Sequence, residues 1–212
     1  DGNGRWAKQQ GKARVFGHQN GVQSVREVSE AGAELGIKYM TLYAFSTENW
    51  NRPKFEVTAL MTLLVGTIRK EVATLNKNNI RLQAIGNLDM LPTAAKKELL
   101  EAIESTKNNT RMTLILALSY SSKWEITEAV KNIAQQVKDG KVDVNSIDEN
   151  MISQALTTKN FPDPELMIRT SGETRISNFL LWQLAYAEFY FTPVFWPDFR
   201  KQEFYKAILS YQ

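Results

Sequence analysis

The sequence predicts an α/β fold with a mostly parallel central sheet flanked by helices. Short apolar segments alternate with stretches whose apolar residues recur at helical spacing, as is typical of parallel sheets covered on both faces. No repeat, linker or low-complexity stretch interrupts the 212 residues, a length sufficient for one domain with a sizeable core. We therefore expect residues 1–212 to form a single domain.

The first half of the chain begins this alternation. Apolar residues at helical spacing predict a helix over residues 18–35, and Gly36 is a natural stop for it. Residues 39–45 are apolar nearly throughout, as expected of a buried parallel strand. An apolar stripe predicts a second helix over residues 55–75, and a second strand follows over residues 80–85.

The second half continues the same pattern, with a proline at the start of its first helix and a glycine after its second. Its helices are predicted over residues 92–106, 124–137, 146–156 and 201–209, and its strands over residues 112–118, 166–168 and 188–191.

The composition excludes several kinds of site. There is no cysteine, so disulfides and thiolate chemistry are absent and a reducing cytoplasm is the expected location. His18 is the only histidine, so any metal must be held by oxygen, which favours Mg²⁺. A formal net charge of only +3, with cations and anions interspersed, argues against a nucleic-acid partner. No apolar run is long enough to span a bilayer.

Polar segments follow the predicted strands, and they indicate where a ligand binds. Residues 46–52 follow one strand and residues 169–177 follow another. Ligands of parallel α/β folds bind at the carboxyl ends of the strands. If a strand precedes Asp1 in the intact protein, residues 1–6 lie on the same rim, and three charged loops surround one cleft.

The opening segment, residues 1–6, has the composition of a site for a diphosphate and its metal. Its glycines let backbone N–H groups approach an anion, Arg5 supplies positive charge, and Asp1 can hold a hard cation. The alternative is an ordinary tight turn, because Asp-Gly and Asn-Gly are common turn dipeptides.

Five arginines fall near the predicted rim, and guanidinium groups offer the forked donors that phosphates need. They are Arg5, Arg14, Arg52, Arg169 and Arg175. Ser171 and Ser177 add hydroxyl groups beside the last two. The alternative is that these arginines are solvated surface side chains, but their convergence on strand-end loops favours phosphate binding.

Two other polar residues have informative positions. His18, behind Gly17 at the predicted start of a helix, either caps and packs there or contacts a phosphate with help from the helix N-terminus. Glu188 lies in an otherwise apolar strand, where an acid must face solvent, pair with an arginine or bind metal.

Apolar helix faces below a charged rim suit a substrate with a diphosphate head and an apolar tail. Helical stripes are normally core, so a lipid channel is the less ordinary interpretation. Leu60, Leu64, Ile68 and Met112 are its hypothetical lining. No GxxxxGK[ST] motif is present, which argues against a nucleotide-hydrolysing P-loop. No Asp-Asp-x-x-Asp cluster is present either.

Taken together, the motifs resemble those of the cis-prenyltransferases, and the resemblance spans nearly the whole chain. It is carried by Asp1-Gly2-Asn3-Gly4-Arg5-Trp6-Ala7, Phe16-Gly17-His18, Tyr43-Ala44-Phe45-Ser46-Thr47-Glu48-Asn49-Trp50-Asn51-Arg52-Pro53, Arg169-Thr170-Ser171-Gly172-Glu173 and Arg175-Ile176-Ser177-Asn178-Phe179-Leu180-Leu181-Trp182-Gln183. The resemblance implies the homodimeric α/β fold of that family and a Mg²⁺-dependent activity. That activity is successive cis-condensation of isopentenyl diphosphate onto farnesyl diphosphate, giving a long-chain precursor of the lipid carrier for cell-wall synthesis.

The resemblance also implies roles for individual residues. Asp1 would bind Mg²⁺ and assist departure of diphosphate, with Glu188 as a further metal ligand. The allylic diphosphate would be held by Gly2, Asn3, Gly4, Arg5, Arg14 and His18, and the isopentenyl diphosphate by Arg52, Arg169, Arg175 and Ser177. Further substrate contacts would come from Trp6, Ser46, Thr47, Glu48, Trp50 and Ile176.

Asn49 is assigned the proton-removing role in this family. A carboxamide is a very poor base at neutral pH, so we expect Asn49 to orient the substrate while a diphosphate oxygen or water takes the proton.

The chain also departs from the family pattern. Residues 119–123 read Ser-Tyr-Ser-Ser-Lys where many relatives have Asn-Tyr-Gly-Gly-Arg, and Thr174 stands where some relatives have histidine. The strand expected before Asp1 and the tail expected after Gln212 lie outside the sequence.

Three alternatives stay open at the level of sequence. They are a synthase of shorter chains, a non-catalytic partner subunit, and a phosphate-binding module without turnover. Such partner subunits usually lose the catalytic aspartate, which is present here as Asp1. Because the product is a lipid and nothing spans a bilayer, we expect at most peripheral membrane contact, at the inner face of the membrane.

Overall fold

Helices and parallel strands alternate along the chain in the computed structural model, which describes all of residues 1–212. The helices are α1 (Asn3–Gln9), α2 (Arg14–Glu34), α3 (Lys54–Lys77), α4 (Thr93–Thr106), α5 (Ser122–Lys138), α6 (Glu149–Ala155) and α7 (Lys201–Tyr211). The strands are β1 (Tyr39–Ser46), β2 (Ile80–Ile85), β3 (Met112–Tyr120), β4 (Leu166–Arg169) and β5 (Glu188–Phe191). The predicted α/β class is confirmed.

All strand pairings are parallel, as predicted, but the strands form two sheets rather than one. The first sheet has the order β1-β3-β2, and the second pairs β4 with β5. Strands β1 and β4 are therefore edge strands of different sheets. No helix combines the length and the hydropathy needed to cross a bilayer.

Strand β3 is the centre of the larger sheet and the most buried strand, as its apolar sequence predicts. Leu114 and Leu118 face one side, where α3 and α4 cover them. Ile115 and Ala117 face the other side and pack with Met167 of β4. This alternation follows from the two-residue period of a strand, and it places apolar core on both faces of the sheet.

Strand β1 is less buried than its sequence predicts. Tyr39 and Ala44 are exposed, and only Phe45 is fully buried. The reason is its position: β1 pairs with β3 alone and leaves its other edge free. The apolar run marks a strand whose inner face borders a cavity, described below, rather than a strand enclosed on both sides.

Helix α2 begins at Arg14 rather than at residue 18, so His18 lies inside the helix and not at its N-terminus. Gly17 also lies inside the helix. A glycine is needed there because a side chain would collide with α1. A Cβ at Gly17 would lie 1.9 Å from the carbonyl oxygen of Asn3 in α1. The prediction that a helix N-terminus assists His18 is therefore wrong, and close contact with α1 explains the glycine.

The opening segment is a helix start rather than a free turn. Gly2 caps α1 with a φ of 94°, a left-handed conformation that favours glycine. Asn3, Gly4, Arg5 and Trp6 all belong to the helix. Their side chains are therefore distributed around a helix rather than gathered on one turn.

Candidate functional site

Asp1 lies beside the end of β4, as the rim hypothesis requires. One carboxylate oxygen accepts a hydrogen bond of 2.9 Å from Arg169, the last residue of β4, and the other accepts one of 2.7 Å from the backbone of Gly2. The backbone carbonyl of Asp1 accepts hydrogen bonds from Thr170 and from the backbone N–H of Trp196. The Asp1 side chain is about half exposed, with 46% of its surface accessible, so its carboxylate faces the open rim.

Arg5 also reaches the loop that follows β4, residues 170–178, which we call the β4 loop. Its guanidinium donates a 2.7 Å hydrogen bond to Ser171 and lies 3.0 Å from a carboxylate oxygen of Glu173. It also lies over the ring of Phe195, 5.4 Å from the centroid. These contacts join the opening segment to the β4 loop.

Arg169, Arg175 and Ser177 are brought together within the β4 loop. Arg169 donates to the hydroxyl of Ser177 at 2.8 Å and to the backbone carbonyl of Arg175, whose own side chain pairs with Glu173. Burial, together with the positive charges of Arg175 and Arg5, lowers the pKa of Arg169 from its usual value. A concentration of positive charge of this kind favours an anion at the same place.

A second set of charged side chains surrounds His18, where α2 approaches the start of α3. Glu56 is buried, and its carboxylate lies 2.8 Å from Arg52 and 3.7 Å from Arg14. Burial and the nearby cations Arg52 and Arg14 lower the pKa of His18 to about 4, against the opposing effect of Glu56. His18 is therefore neutral at physiological pH, between two arginines.

Asn3 sets the hydrogen bonding of this neutral histidine. The amide nitrogen of Asn3 lies 3.2 Å from Nδ1 of His18. When the amide nitrogen donates to Nδ1, the proton of the neutral ring is on Nε2, where it can be donated to a ligand. Gly4 contributes by its lack of a side chain, since a Cβ there would lie 2.8 Å from Nε of Arg14.

Glu56 is the residue of this cluster that the sequence analysis missed. A buried carboxylate between two guanidinium groups fixes their positions more firmly than solvent would. The signal that could have found it is its spacing of four residues from Arg52 at the start of a helix, which places the two side chains side by side.

The segment after β1, residues 46–52, is a short 3₁₀ helix over Thr47–Asn51 rather than an irregular loop. Ser46 and Asn49 hold it by reciprocal hydrogen bonds between side chain and backbone. Glu48 accepts a 2.9 Å hydrogen bond from Asn178, which joins this segment to the β4 loop. All three predicted loops therefore meet.

The remaining predicted residues are placed differently. Trp50 donates from its indole to Ser119 at 2.8 Å and packs edge-on against Phe45, so it supports the end of β3. Trp6 stacks on Phe16 and donates to Asp198. Ile176 packs against the apolar cluster below the β4 loop. These three side chains are structural supports of the rim in this conformation.

Glu188 is not brought beside Asp1 within the chain. It is the first residue of β5 and pairs with Leu166, whereas Asp1 contacts Arg169 at the other end of β4. Leu166 and Arg169 are three residues apart along β4, a distance of about 10 Å. A shared metal ligand role for Asp1 and Glu188 therefore stays a prediction.

The carboxylate of Asp1 could bind a magnesium ion together with phosphate oxygens of a substrate. No group of three or more acidic or histidine side chains that could hold a metal is present. Mg²⁺ is commonly held by one or two carboxylates together with substrate phosphates. An exposed carboxylate beside guanidinium groups that could hold such phosphates matches that arrangement.

An apolar cavity of about 210 Å³ extends from this rim between α2, α3 and the larger sheet. Its polar end contains His18, Asn49 and Arg52. The predicted lining residues Leu60, Leu64 and Ile68 do border it, whereas Met112 belongs to the buried core. A charged rim thus opens onto an apolar channel.

Known proteins share this sequence and fold. Residues 1–212 match the prenyltransferase family model that is described as undecaprenyl diphosphate synthase. The chain is 54% identical over 212 residues to an isoprenyl transferase of Chlorobaculum tepidum, covering 100% of this chain and 80% of that protein. It is 53% identical over 212 residues to the ditrans,polycis-undecaprenyl-diphosphate synthase, (2E,6E)-farnesyl-diphosphate specific, of Pasteurella multocida, covering 100% and 88%.

Two solved structures are also similar. Lavandulyl diphosphate synthase from Lavandula x intermedia, in complex with dimethylallyl diphosphate, superposes with a TM-score of 0.96 at 38% identity, covering 100% of this chain and 91% of that one. A probable undecaprenyl diphosphate synthase from Campylobacter jejuni gives a TM-score of 0.79 at 35% identity, with coverage of 91% and 88%.

Proposed function

Because this chain belongs to the cis-prenyltransferase family of undecaprenyl diphosphate synthases, we propose that it condenses isopentenyl diphosphate units onto farnesyl diphosphate. The proposed product is undecaprenyl diphosphate, a precursor of the lipid carrier for cell-wall synthesis. The observation that supports this best is the rim of arginines around Asp1 and His18 above an apolar channel. Such a site suits a substrate with a diphosphate head and an isoprenoid tail.

We propose that the allylic diphosphate binds at the opening segment and the start of α2. Arg5 and Arg14 supply positive charge, and Nε2–H of His18 donates without adding a charge of its own. Gly2, Asn3 and Gly4 bring the backbone of the opening segment close to the same place. The tail of the substrate then enters the channel beside His18.

The isopentenyl diphosphate is proposed to bind at the β4 loop. Arg169, Arg175 and Ser177 converge there through direct hydrogen bonds, and Arg52 faces them from the other side of the rim in this proposal. Diphosphate would replace the carboxylate of Glu173 as the partner of Arg175. Forked guanidinium donors hold such an anion more firmly than point charges do.

Asp1 is the proposed ligand for Mg²⁺, which supplies positive charge against the departing diphosphate. Charge accumulates on the diphosphate oxygens as the allylic C–O bond breaks, and fixed donors stabilise it at that stage. Asn49 borders the channel at the rim and is held by Ser46. Its proposed role is to orient the isopentenyl group, while a diphosphate oxygen or water accepts the proton.

A direct assay tests this function. The intact protein is incubated with farnesyl diphosphate, labelled isopentenyl diphosphate and Mg²⁺, and the products are separated by length. Label in a long polyprenyl diphosphate supports the proposal, label confined to a few units indicates a short-chain synthase, and no labelled lipid overturns it. A parallel reaction with EDTA should lose its turnover, and added Mg²⁺ should restore it.

We also propose that the protein is a homodimer that buries an aromatic surface around β5. Leu181, Tyr186, Phe189 and Phe191 are all large and exposed there, with Tyr186 fully accessible. A second copy of the chain is the proposed occupant. Light scattering should give the dimer mass, and Phe189→Asp should reduce it to the monomer mass. Leu209→Asp, which changes an exposed residue on α7, should leave the dimer intact.

Peripheral membrane contact is proposed for the exposed side of the channel mouth. Phe55 is 77% exposed at the start of α3, beside Lys54, and Lys8 and Lys12 are exposed on and after α1. Basic and aromatic side chains together suit an anionic lipid surface. Cosedimentation with vesicles that contain phosphatidylglycerol should weaken in Phe55→Ser, whereas vesicles of phosphatidylcholine alone should bind neither protein.

A further inference from the structure

The seam between α2 and α3, which forms one wall of the channel, is closed by polar pairs. Near the rim Arg14 lies 3.7 Å from Glu56. Further along, Arg26 and Glu71 are joined, and both border the cavity. At the far end Asn78 donates to Glu30 at 3.4 Å.

The middle pair has the strongest geometry of the three. Nε of Arg26 donates to one carboxylate oxygen of Glu71 at 3.0 Å, and a terminal nitrogen donates to the other at 2.5 Å. This two-point arrangement is specific to guanidinium and carboxylate. The side chain of Arg26 is 41% exposed and that of Glu71 only 14%, so the pair stands at the boundary between channel and solvent.

The channel wall also changes character near this pair. On the rim side α2 presents Val22 and Val25 to the cavity, whereas beyond the pair it presents Ser29 and Glu30. The hydroxyl of Ser29 is buried without a hydrogen-bond partner. Thr67 of α3 is the one uncharged polar residue that lines the wall before this pair. An apolar chain that grows from the rim therefore meets its first charged groups beyond the rim at Arg26 and Glu71.

The size of the cavity makes this obstacle important. Its volume of about 210 Å³ is below the range of roughly 300–1,000 Å³ of ordinary small-molecule sites. A cavity of this size gives a long isoprenoid tail little room to extend past the seam. Polar pairs at a seam can exchange their partners for water at a smaller cost than buried apolar contacts, so the seam is the part of the wall that can open.

We propose that the Arg26–Glu71 ion pair is a latch across the α2–α3 seam that determines product length. It lies about 20 Å along the helices from the Arg14–Glu56 pair, by the rise of an α-helix. Early condensations leave the latch closed. Later ones require it to part, so the rate of addition falls when the tail reaches it. The inference rests on the proposed prenyl-transferring function.

The chain provides a matched control on the opposite side of α3. Arg69 and Glu98 form the same two-point ion pair between α3 and α4, with Nε of Arg69 3.1 Å from a carboxylate oxygen. Neither residue borders the channel. Substitution of Arg69 and Glu98 therefore removes an equivalent ion pair from α3 and leaves the contacts between α2 and α3 unchanged.

The test compares product lengths from labelled isopentenyl diphosphate. Arg26→Met and Glu71→Gln should each shift the main product to at least one isoprene unit longer, and the rate of the first condensation should stay within twofold of the unchanged protein. Arg69→Met with Glu98→Gln should leave the product length unchanged. The charge-swapped double variant, Arg26→Glu with Glu71→Arg, should return the length toward the original.

Two results would overturn the latch. One is an unchanged length in both single variants, and the other is an equal shift in the Arg69 and Glu98 control. Thermal unfolding of each variant shows whether it is folded, and an unfolded single variant is replaced by Arg26→Lys, which keeps the charge but loses the fork. If the protein without any substitution makes no polyprenyl product, the proposed function itself is overturned. Failure of the latch and failure of the proposed function are therefore distinguishable.

Discussion

The carboxylate of Asp1 accepts a 2.9 Å hydrogen bond from the guanidinium of Arg169, although 168 residues separate them in the chain. If substrate and metal bind as proposed, Asp1 and Arg169 would each lose the other as a partner. If Asp1 holds Mg²⁺ as proposed, its carboxylate would exchange Arg169 for the metal, and the Arg169 guanidinium would be available to a diphosphate. The ion pair therefore keeps two proposed binding groups in position and exchanges them for two ligands at once.

Asp1→Ala should lower turnover by about a hundredfold or more while leaving substrate binding largely intact, as expected when a group acts mainly in the transition state. The measurement is kcat alongside the dissociation constant of farnesyl diphosphate. Asp198→Asn is the control, because that carboxylate contacts Trp6 at the edge of the rim. Unchanged turnover in Asp1→Ala would contradict the assigned role.

Glu56→Gln should strengthen diphosphate binding and lower turnover. Glu56 is the anion that Arg14 and Arg52 share, so replacing it by neutral glutamine should let inorganic diphosphate bind about tenfold more tightly, roughly 1.4 kcal/mol. Turnover should fall because the two arginines lose their fixed positions. Calorimetry and steady-state kinetics check the two effects, and weaker diphosphate binding would contradict this account.

His18 should make the protein less stable as the pH falls from about 6.5 to about 4. Its pKa in the folded protein is lowered to about 4 by burial and by Arg52, so over this window the unfolded chain binds the proton more readily. The free energy of unfolding therefore rises with pH between about 4 and about 6.5, and the contribution of neutral His18 is lost as the pH falls to about 4. His18→Gln should flatten the dependence by about 3 kcal/mol at most.

Two measurements check the His18 prediction. Denaturant unfolding from pH 4 to pH 7 compares the two proteins directly. Because His18 is the only histidine, its ring resonances can also be titrated without ambiguity by NMR. A midpoint near 6.5 would show that neither burial nor the arginines act on the ring.

Gly17→Ala should destabilise the fold by about 1–3 kcal/mol, the usual cost of overpacking. The new methyl group would lie 1.9 Å from the carbonyl of Asn3, so α1 must move away from α2. Gly66→Ala is the matched control within helix α3, because no atom beyond its chain neighbours and its own helix backbone lies within 4 Å of its Cβ position. That variant should gain about 0.5–1 kcal/mol, and equal effects in thermal unfolding would contradict the packing argument.

The sequence allowed most elements of the fold to be predicted, because apolar spacing reports burial directly. The strand over residues 80–85 has the predicted bounds, and α3 and α4 are within a residue or two of theirs. The exposure of β1 and the division into two sheets were not predictable, since spacing within a strand says nothing about how many partners it has. The start of α2 was missed because Gly17 was taken as a boundary, when its real constraint is a contact with Asn3.

The candidate site was predicted in part for the same reason. Charged residues on strand-end loops indicated that Asp1, Arg5 and Arg169 would meet, because topology determines which loops are neighbours. Glu56 was missed because a glutamate near a helix start is usually exposed. One of its two partners, Arg14, is distant in sequence and approaches it from another helix.

Helix α3 carries a guanidinium–carboxylate fork on each of two sides, one to α2 and one to α4. Both forks are partly open to solvent, and added salt shortens the Debye length from about 8 Å at physiological ionic strength to about 3 Å at 1 M, close to the charge separation within each pair. The medium can therefore loosen this helix without unfolding anything. Added potassium chloride should broaden the set of chain lengths that the protein makes, although no salt ion takes part in the chemistry.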